Sequence, residues 1–471
     1  MQQYEVIVVG AGPAGYVCAI RCAQLGLKVA CIDKRVDTRG KPKLGGTCLN
    51  VGCIPSKALL DSTHHVQFIN EQAGTHGLKV SGLEVDVPAM QKRKDHVVRT
   101  LVGGVASLLK KNKVDVISGT AGFIAPQKIR VDHAGGASQD LQGKHIVIAS
   151  GSEPVDIQAA PVDGDCIVDS TGALEFHEVP LRLGIIGAGV IGLEMGSVWS
   201  RLGSEVVILE ALPEFLAMAD QAVSKEAFKI LVKQGLDIRL NCKVQEARTS
   251  SDKVQVVYST GNTEQSLEVD KLIVAVGRRP HTEGLNLDDL GIKTDQKGFI
   301  EVDSHWETSV KGVYAIGDVI GGAMLAHKGS EEGVALAELL ADQSAHVSYE
   351  SIPWVIYTWP EIAWAGRTER QCKESGIDYR TGVFPFMALG RAHAMGHAEG
   401  MFKIVGDAST DRILGVHILG PNASELISEA VVAMESELYT EDLARMIHAH
   451  PSLAEGMHEA ALAVGGRAIH F

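Results

Sequence analysis

Through the first two thirds of the chain, short unbroken apolar runs alternate with stretches of helical periodicity. Unbroken runs suit strands buried on both faces of a parallel sheet, and the periodic stretches suit the helices that cover them. The run 5–9 is followed by a helical stretch over 16–25 and a second run over 28–32 that ends at Asp33. The order then repeats: a run at 183–186, a helix over 193–202, and a run at 206–209 ending at Glu210. Further apolar runs precede Ser150-Gly151, Gly277 and Gly317-Asp318. Past residue 345 the pattern changes. Pro353, Pro360 and Pro385 punctuate aromatics at strand-like density over 349–386. The stretches 401–405 and 413–418 alternate like an antiparallel hairpin, and helices are expected over 423–435 and 441–447.

Between each early strand and its helix lies the same spacing of glycines. Gly10-Ala11-Gly12-Pro13-Ala14-Gly15 opens the first helix, and Gly187-Ala188-Gly189-Val190-Ile191-Gly192 opens the second. In such a turn the first glycine permits a tight reversal and the second lets backbone approach a pyrophosphate. The third lets helix pack on strand, and an acid at the end of the next strand reaches a ribose hydroxyl. Asp33 and Glu210 each stand 18 residues beyond the last glycine of their motif. The helix N-terminus adds partial positive charge for the phosphates. The expected fold class is therefore α/β, with two Rossmann-like dinucleotide-binding domains and a C-terminal α+β domain. Glu210 suits a free ribose and would repel a 2′-phosphate, which argues for NAD over NADP in the second site. Two dinucleotides allow a tightly held flavin to serve a diffusible nicotinamide. The spacing of Asp318 suits contact with a flavin's ribityl or pyrophosphate region, and a buried strand with a turn is an equal reading of that run. The runs ending at Gly151 and Gly277 read as crossings between the two domains, which leaves the first domain discontinuous.

Two cysteines move the reading from binding to chemistry. Cys48 and Cys53 lie in Gly45-Gly46-Thr47-Cys48-Leu49-Asn50-Val51-Gly52-Cys53-Ile54-Pro55-Ser56-Lys57. A close, glycine-flanked pair can cycle between dithiol and disulfide. The 471 residues carry only 8 cysteines, too sparse for a disulfide scaffold. A reducing, cytoplasmic setting is expected, in which a disulfide is catalytic. Cys18 and Cys22, four apart on one helix, read as small buried residues. No Cys/His cluster has zinc spacing, so no metal is expected. The formal net charge of −14 argues against nucleic acid. No apolar run reaches the ~18 residues of a membrane helix, and the opening residues look like neither a signal nor a transit peptide.

A redox disulfide needs a base. His450 with Glu455 offers an imidazole whose tautomer and basicity a carboxylate can set. His448 competes, at a spacing to Glu455 that suits a pair less well. Lys57 follows the cysteines on their helix, and Glu194 begins the helix of the second glycine motif. The two form a candidate ion pair between flavin and nicotinamide, with a pair of solvated charges as the plainer reading.

With these motifs in place, the whole chain resembles the dihydrolipoamide dehydrogenases of the pyridine nucleotide–disulfide oxidoreductase family. The residues that carry the resemblance are 45–57, His448-Ala449-His450-Pro451 with Glu455, Met324-Leu325-Ala326-His327-Lys328, and Ile356-Tyr357-Thr358-Trp359-Pro360-Glu361. Departures from the family pattern are minor: Asp33 where glutamate is commoner, and Ser452, Ala454 and Gly456 after the His-Pro. Glu210 and Ser56 argue against a glutathione reductase, and the missing C-terminal cysteine pair against a mercuric reductase. The resemblance implies FAD in the first site and NAD in the second. It implies FAD-dependent oxidation of protein-bound dihydrolipoamide with reduction of NAD+. Cys48 would meet the substrate, Cys53 would face the flavin, and His450, held by Glu455, would be the base. The cofactor contacts so implied are Gly10, Gly12, Pro13, Ala14, Gly15, Asp33, Lys34, Gly46, Thr47, Lys57, Ser150, Gly151, Asp318, Met324, Leu325, Ala326 and His327, with Gly187, Gly189, Val190, Ile191, Gly192, Glu194, Glu210 and Gly277. A glycine is also expected at position 121, with no contact assigned to it. The implied domains are FAD-binding at 1–150, NAD-binding at 151–277, a segment at 278–345 completing the FAD domain, and a dimerisation domain at 346–471. The implied partners are a second copy of the chain, in which His450 serves the other subunit's cysteines, and the lipoyl and peripheral subunit-binding domains of a 2-oxoacid dehydrogenase complex. A glycine cleavage system is the other host that the resemblance allows.

Overall fold

The computed structural model describes residues 1–37 and 40–471. The chain forms two compact units. The first takes Met1–Ala58, Pro88–Val155 and Val276–Val347; the second takes Leu59–Val87, Asp156–Ala275 and Ser348–Phe471.

In the first unit, strand Gln2–Val9 lies between Val29–Asp33 and Ser138–Ile148, parallel to both. Asp115–Ser118 adds one parallel edge and Val313–Ala315 pairs in parallel with Ser138–Ile148. Lys128–Asp132 and Thr120–Ala125 extend the sheet antiparallel. Alternation along the first strand splits its apolar residues between two cores. Val6 and Val8 join Cys18, Ala19 and Cys22 of helix Pro13–Gln24 on one face. Ile7 and Val9 join Ile146, Ile148 and Phe123 on the other. Val6, Ile7 and Val8 have no exposed surface. Each such side chain stabilises the fold by roughly 1.5–3 kcal/mol, which is why the run reads as uninterrupted. Cys18 and Cys22 are buried free thiols in this core.

In the second unit, a parallel sheet runs in the order Asp237–Arg239, Glu205–Leu209, Arg182–Ile186, Lys271–Val274, Ile167–Val168. Cys242–Ser250, Lys253–Thr260 and Thr263–Val269 form an antiparallel meander. The C-terminal part is a five-stranded antiparallel sheet in which Met401–Asp407 and Ile413–Gly420 form the expected hairpin. Helices Ala423–Glu435 and Glu455–Val464 close its core around Phe384, Phe402, Ile418, Ile427 and Met457.

One expected residue and the bounds of three expected helices differ. The expectation of a glycine at position 121 is wrong: the residue is alanine. Ala121 lies in strand Thr120–Ala125, opposite Val131, and its side chain is buried in the core with Phe123 and Ile129. A methyl group packed among apolar neighbours makes Ala121 a core residue. The helices after the glycine turns begin earlier than periodicity suggests, at Pro13 and Val190, because each starts directly on its second glycine as N-cap. Proline, with its fixed φ and missing N–H, is favoured at that first position. The helix expected over 441–447 is only Thr440–Leu443. Beyond it the chain tightens into turn bonds, Arg445 N–H to Asp442 O and Met446 N–H to Leu443 O. The ring of His448 then bonds the Met446 carbonyl, and Pro451 bars helical φ/ψ at the residue before it. Among the described residues no helix is long and apolar enough to cross a membrane.

Candidate functional site

The first glycine turn is built by close approach. Gly10 has φ +107°, and a Cβ there would sit 2.2 Å from the Ala149 carbonyl oxygen. A Cβ on Gly15 would lie 1.8 Å from the Gly10 oxygen, so only glycine lets this helix rest on its strand. Around Gly12 the space is open except for the Cα of Gly46. Asp33 ends the neighbouring strand and braces the turn: its carboxylate accepts the Ala11 N–H at 2.7 Å and the Arg35 N–H at 2.8 Å. Lys34 lies beside it, its Nζ 2.6 Å from Nε2 of His281.

The cysteine segment is seated on this turn. The Gly45 N–H donates to the Ala11 carbonyl at 2.8 Å, and a Cβ on Gly46 would come within 2.6 Å of Gly12 Cα. The buried Asn50 amide donates to the carbonyls of Leu44 and Gly46 at 3.0 and 2.9 Å, holding both left-handed glycines in place. Thr47 and Cys48 follow in helix Gly46–Val51, and Cys53 opens helix Cys53–Glu71, which carries Lys57. Cys48 is half-buried, Cys53 is exposed, and both are free thiols. They share a hydrogen bond that, with burial, pushes the Cys48 thiol far above its ordinary range, while the charge of Lys57 pulls the other way.

In the same unit, Ser152–Pro154 and Arg278–Pro280 pair as a short antiparallel ribbon. The Ser152 hydroxyl donates to Asp318 and accepts from Arg278 Nε at 2.8 Å, so three residues distant in sequence form one polar chain. Arg278 also donates to the Ser152 carbonyl at 2.6 Å. The turn that bears Asp318 is fixed from beneath by a buried ion pair. Lys328 Nζ lies 3.0 Å from Glu332, donating also to the carbonyls of Gly317 and Gly321, and Glu332 accepts the Gly317 N–H. Met324 and Leu325 lead into helix Ala326–Leu340, where His327 occupies the first turn. Gly329 and Gly333 of this helix face Ala14. Ser150 Oγ is buried without a hydrogen-bond partner, and the backbone at Gly151 and Gly277 (φ +76° and +129°) leaves open space. An orphaned hydroxyl and glycine-lined openings fit a bound flavin dinucleotide.

The second unit repeats the first turn almost bond for bond. Gly187 has φ +103°, and a Cβ on Gly192 would lie 2.0 Å from the Gly187 oxygen. Nothing lies within 4 Å of a Cβ on Gly189, which leaves room for phosphate. Val190 and Ile191 form the first helical turn. Glu210 accepts the Ala188 N–H and the Leu212 N–H, each at 2.8 Å. Glu194 is buried and accepts the Tyr357 N–H at 3.0 Å.

The C-terminal histidines are separated by their partners. His450 Nδ1 lies 2.7 Å from Glu455, whose other oxygen accepts the Ser452 N–H at 2.8 Å. Burial alone would raise the Glu455 carboxyl, but the Ser452 amide and the imidazole hold it below its usual range. The His450 side chain is 79% exposed, which leaves Nε2 open to a substrate. His448 has both nitrogens engaged, Nδ1 with the Met446 carbonyl and Nε2 with Glu429 at 2.6 Å. That difference separates the two candidates.

Sequence reasoning missed Ser152, Arg278, Glu332 and Asn50. Asn50 lies within 45–57 but was given no role there, and the other three sit in no recognisable motif position of their own. The roles of Ser152 and Arg278 appear only when segments up to 166 positions apart come together, as Ser152 and Asp318 do.

Comparison with known proteins extends the likeness over the chain. The family model described as pyridine nucleotide-disulphide oxidoreductase matches residues 4–333, and that family's dimerisation domain matches 352–461. The dihydrolipoyl dehydrogenase of Cupriavidus necator is 52% identical, with 100% of this chain and 99% of that protein covered. The mitochondrial dihydrolipoyl dehydrogenase of Pisum sativum is 48% identical, covering 99% and 92%. Among solved structures, an HOCl-induced flavoprotein disulfide reductase from Escherichia coli superposes with a TM-score of 0.85 at 30% identity, covering 97% and 99%. With glycine turns, thiol pair and dimerisation region all matched, the chain belongs to the pyridine nucleotide-disulphide oxidoreductase family.

Proposed function

We propose that this protein is a dihydrolipoyl dehydrogenase: an FAD-dependent homodimer that oxidises protein-bound dihydrolipoamide to lipoamide and reduces NAD+. The observation that carries the reading is the hydrogen-bonded Cys48–Cys53 pair, seated through Gly46 on the first glycine turn. The residues around Gly10–Gly15, Asp33, Ser150 and Asp318 would hold FAD, and those around Gly187–Gly192 and Glu210 would hold NAD+. Bound there, FAD would supply a two-electron carrier between the reduced cysteines and NAD+.

The chain's own residues perform the thiol chemistry. In the oxidised enzyme Cys48 and Cys53 form a disulfide. Nε2 of His450 takes a proton from one substrate thiol, and Glu455 stabilises the imidazolium through Nδ1. The substrate thiolate attacks Cys48, and Cys53 leaves as thiolate. The second substrate thiol then displaces Cys48, which closes the lipoyl disulfide and leaves both cysteines reduced. Lys57 favours the thiolate forms, as its effect on Cys48 supports. His450 of each subunit serves the cysteines of the other. The lipoyl groups belong to a 2-oxoacid dehydrogenase complex, whose peripheral subunit-binding domain holds the dimer, or to a glycine cleavage system. Glu210 favours NAD+ over NADP+.

An anaerobic titration with dihydrolipoamide, followed by NAD+, tests the reading. The flavin absorbance should bleach and then recover with formation of NADH. A flavin that stays oxidised under excess dihydrolipoamide overturns it, and equal reoxidation by NADP+ overturns the role of Glu210.

A further inference from the structure

A cavity of about 400 Å³ opens in the second unit, and no residue of that unit's glycine turn lines it. Its volume suits a small metabolite. Helix Cys53–Glu71 supplies Gln67 and Glu71 to its wall, and helix Val190–Arg201 ends there on Arg201. Val66, Leu83, Val85, Leu202 and Leu236 give it an apolar side.

The polar groups at this wall are poorly matched to one another. Arg201 forms no ion pair among the described residues; its guanidinium makes one long bond, 3.4 Å, to the Leu60 carbonyl. Burial pushes this guanidinium down to about 10, with the charge of Glu71 pulling in the other direction. A partly desolvated cation without an anion is costly, and a planar fork of donors is shaped for a carboxylate. Gln67 donates to Glu71 at 3.2 Å, yet its own Oε1 is buried without a partner. The cavity therefore offers a carboxylate-seeking cation, an exposed carboxylate that accepts one bond from Gln67, and an apolar wall.

We propose that this cavity binds a small α-amino acid with an apolar side chain. Its carboxylate pairs with Arg201, its ammonium meets Glu71, and its side chain lies against Leu83, Val85 and Leu236. Supplying both an anion for Arg201 and a cation for Glu71 separates this class from a simple anion, which would face Glu71 unfavourably.

Calorimetric titration of the FAD-loaded enzyme with L-leucine tests the site. L-Leucine should bind at one site per chain. 4-Methylpentanoate, which lacks the ammonium, and 3-methylbutylamine, which lacks the carboxylate, should each bind about tenfold more weakly or worse. Arg201→Met and Glu71→Gln should each weaken L-leucine by about tenfold or more. If Arg201→Met does not fold, Glu71→Gln, at an exposed position, decides the matter. The proposal fails if L-leucine gives no binding up to its solubility limit. It fails if Glu71→Gln binds L-leucine like the unaltered protein, and likewise if 4-methylpentanoate binds as tightly as L-leucine.

Discussion

Cys48 and Cys53 are the same residue type in different surroundings, and that difference divides their roles. Cys48 is half-buried and holds its proton tightly, whereas Cys53 is exposed at the head of a helix. Cys53→Ser should therefore abolish dihydrolipoamide turnover while the flavin spectrum shows FAD still bound; normal turnover would refute the relay. His450→Gln should cost about 10²–10⁴ in kcat for a general base. Glu455→Gln should cost less in kcat and alter its pH profile, because the imidazole remains but its orienting charge is gone. His448 behaves differently. Its bond to Glu429 raises its pKa, so its contribution to stability is complete below about 6.5 and fades as pH rises through the raised value. His448→Asn should lower the melting temperature more at mildly acid than at alkaline pH, with kcat little changed at neutral pH. The His450–Glu455 pair was legible in sequence because five positions separate its members. The preference for His450 over His448 also follows from Glu429, which lies 19 positions from His448 and carries no sequence signal of its purpose.

At the scale of elements, the two glycine turns were readable because each lies within one strand–turn–helix segment whose spacing the backbone dictates. A Cβ on Gly192 would meet the Gly187 oxygen at 2.0 Å. Gly192→Ala should force the helix off its strand, cost about 1–3 kcal/mol, and weaken NAD+ binding while FAD remains bound. Equilibrium dialysis against NAD+ with the flavin spectrum as control checks both halves. The ion pair beneath Asp318 was not readable, since nothing in helix Ala326–Leu340 distinguishes Glu332 from a surface acid. With Lys328 and Glu332 3% and 0% exposed, Glu332→Gln leaves an unmatched buried cation. It should lower unfolding free energy by about 3–5 kcal/mol in denaturant titration and loosen flavin retention. The shortened helix at Thr440–Leu443 makes the same point in reverse: local periodicity favoured a longer helix, and bonds from His448 and the turn overrode it.

For the whole molecule, pattern and motif were enough to place the chain in its class, because parallel strands and glycine turns leave strong local marks. Association leaves weaker ones. In the second unit, Ile447 is 100% exposed, close in sequence to His450, and Val432 is 64% exposed. A fully solvated isoleucine beside a proposed catalytic base is best explained by burial against a second copy. Ile447→Asp should shift the protein from dimer to monomer in analytical ultracentrifugation. Dihydrolipoamide turnover should fall with it while FAD stays bound.

The braced glycine turns have a consequence for how coenzyme preference can change. Glu210 spends one oxygen on the Ala188 amide and the other on the Leu212 amide. A substitution that admits a 2′-phosphate therefore also cuts two ties that shape the phosphate loop. Selectivity and loop order are inherited together, so exchanging NAD+ for NADP+ demands at least two coordinated changes: one to welcome the new charge, another to re-anchor the turn.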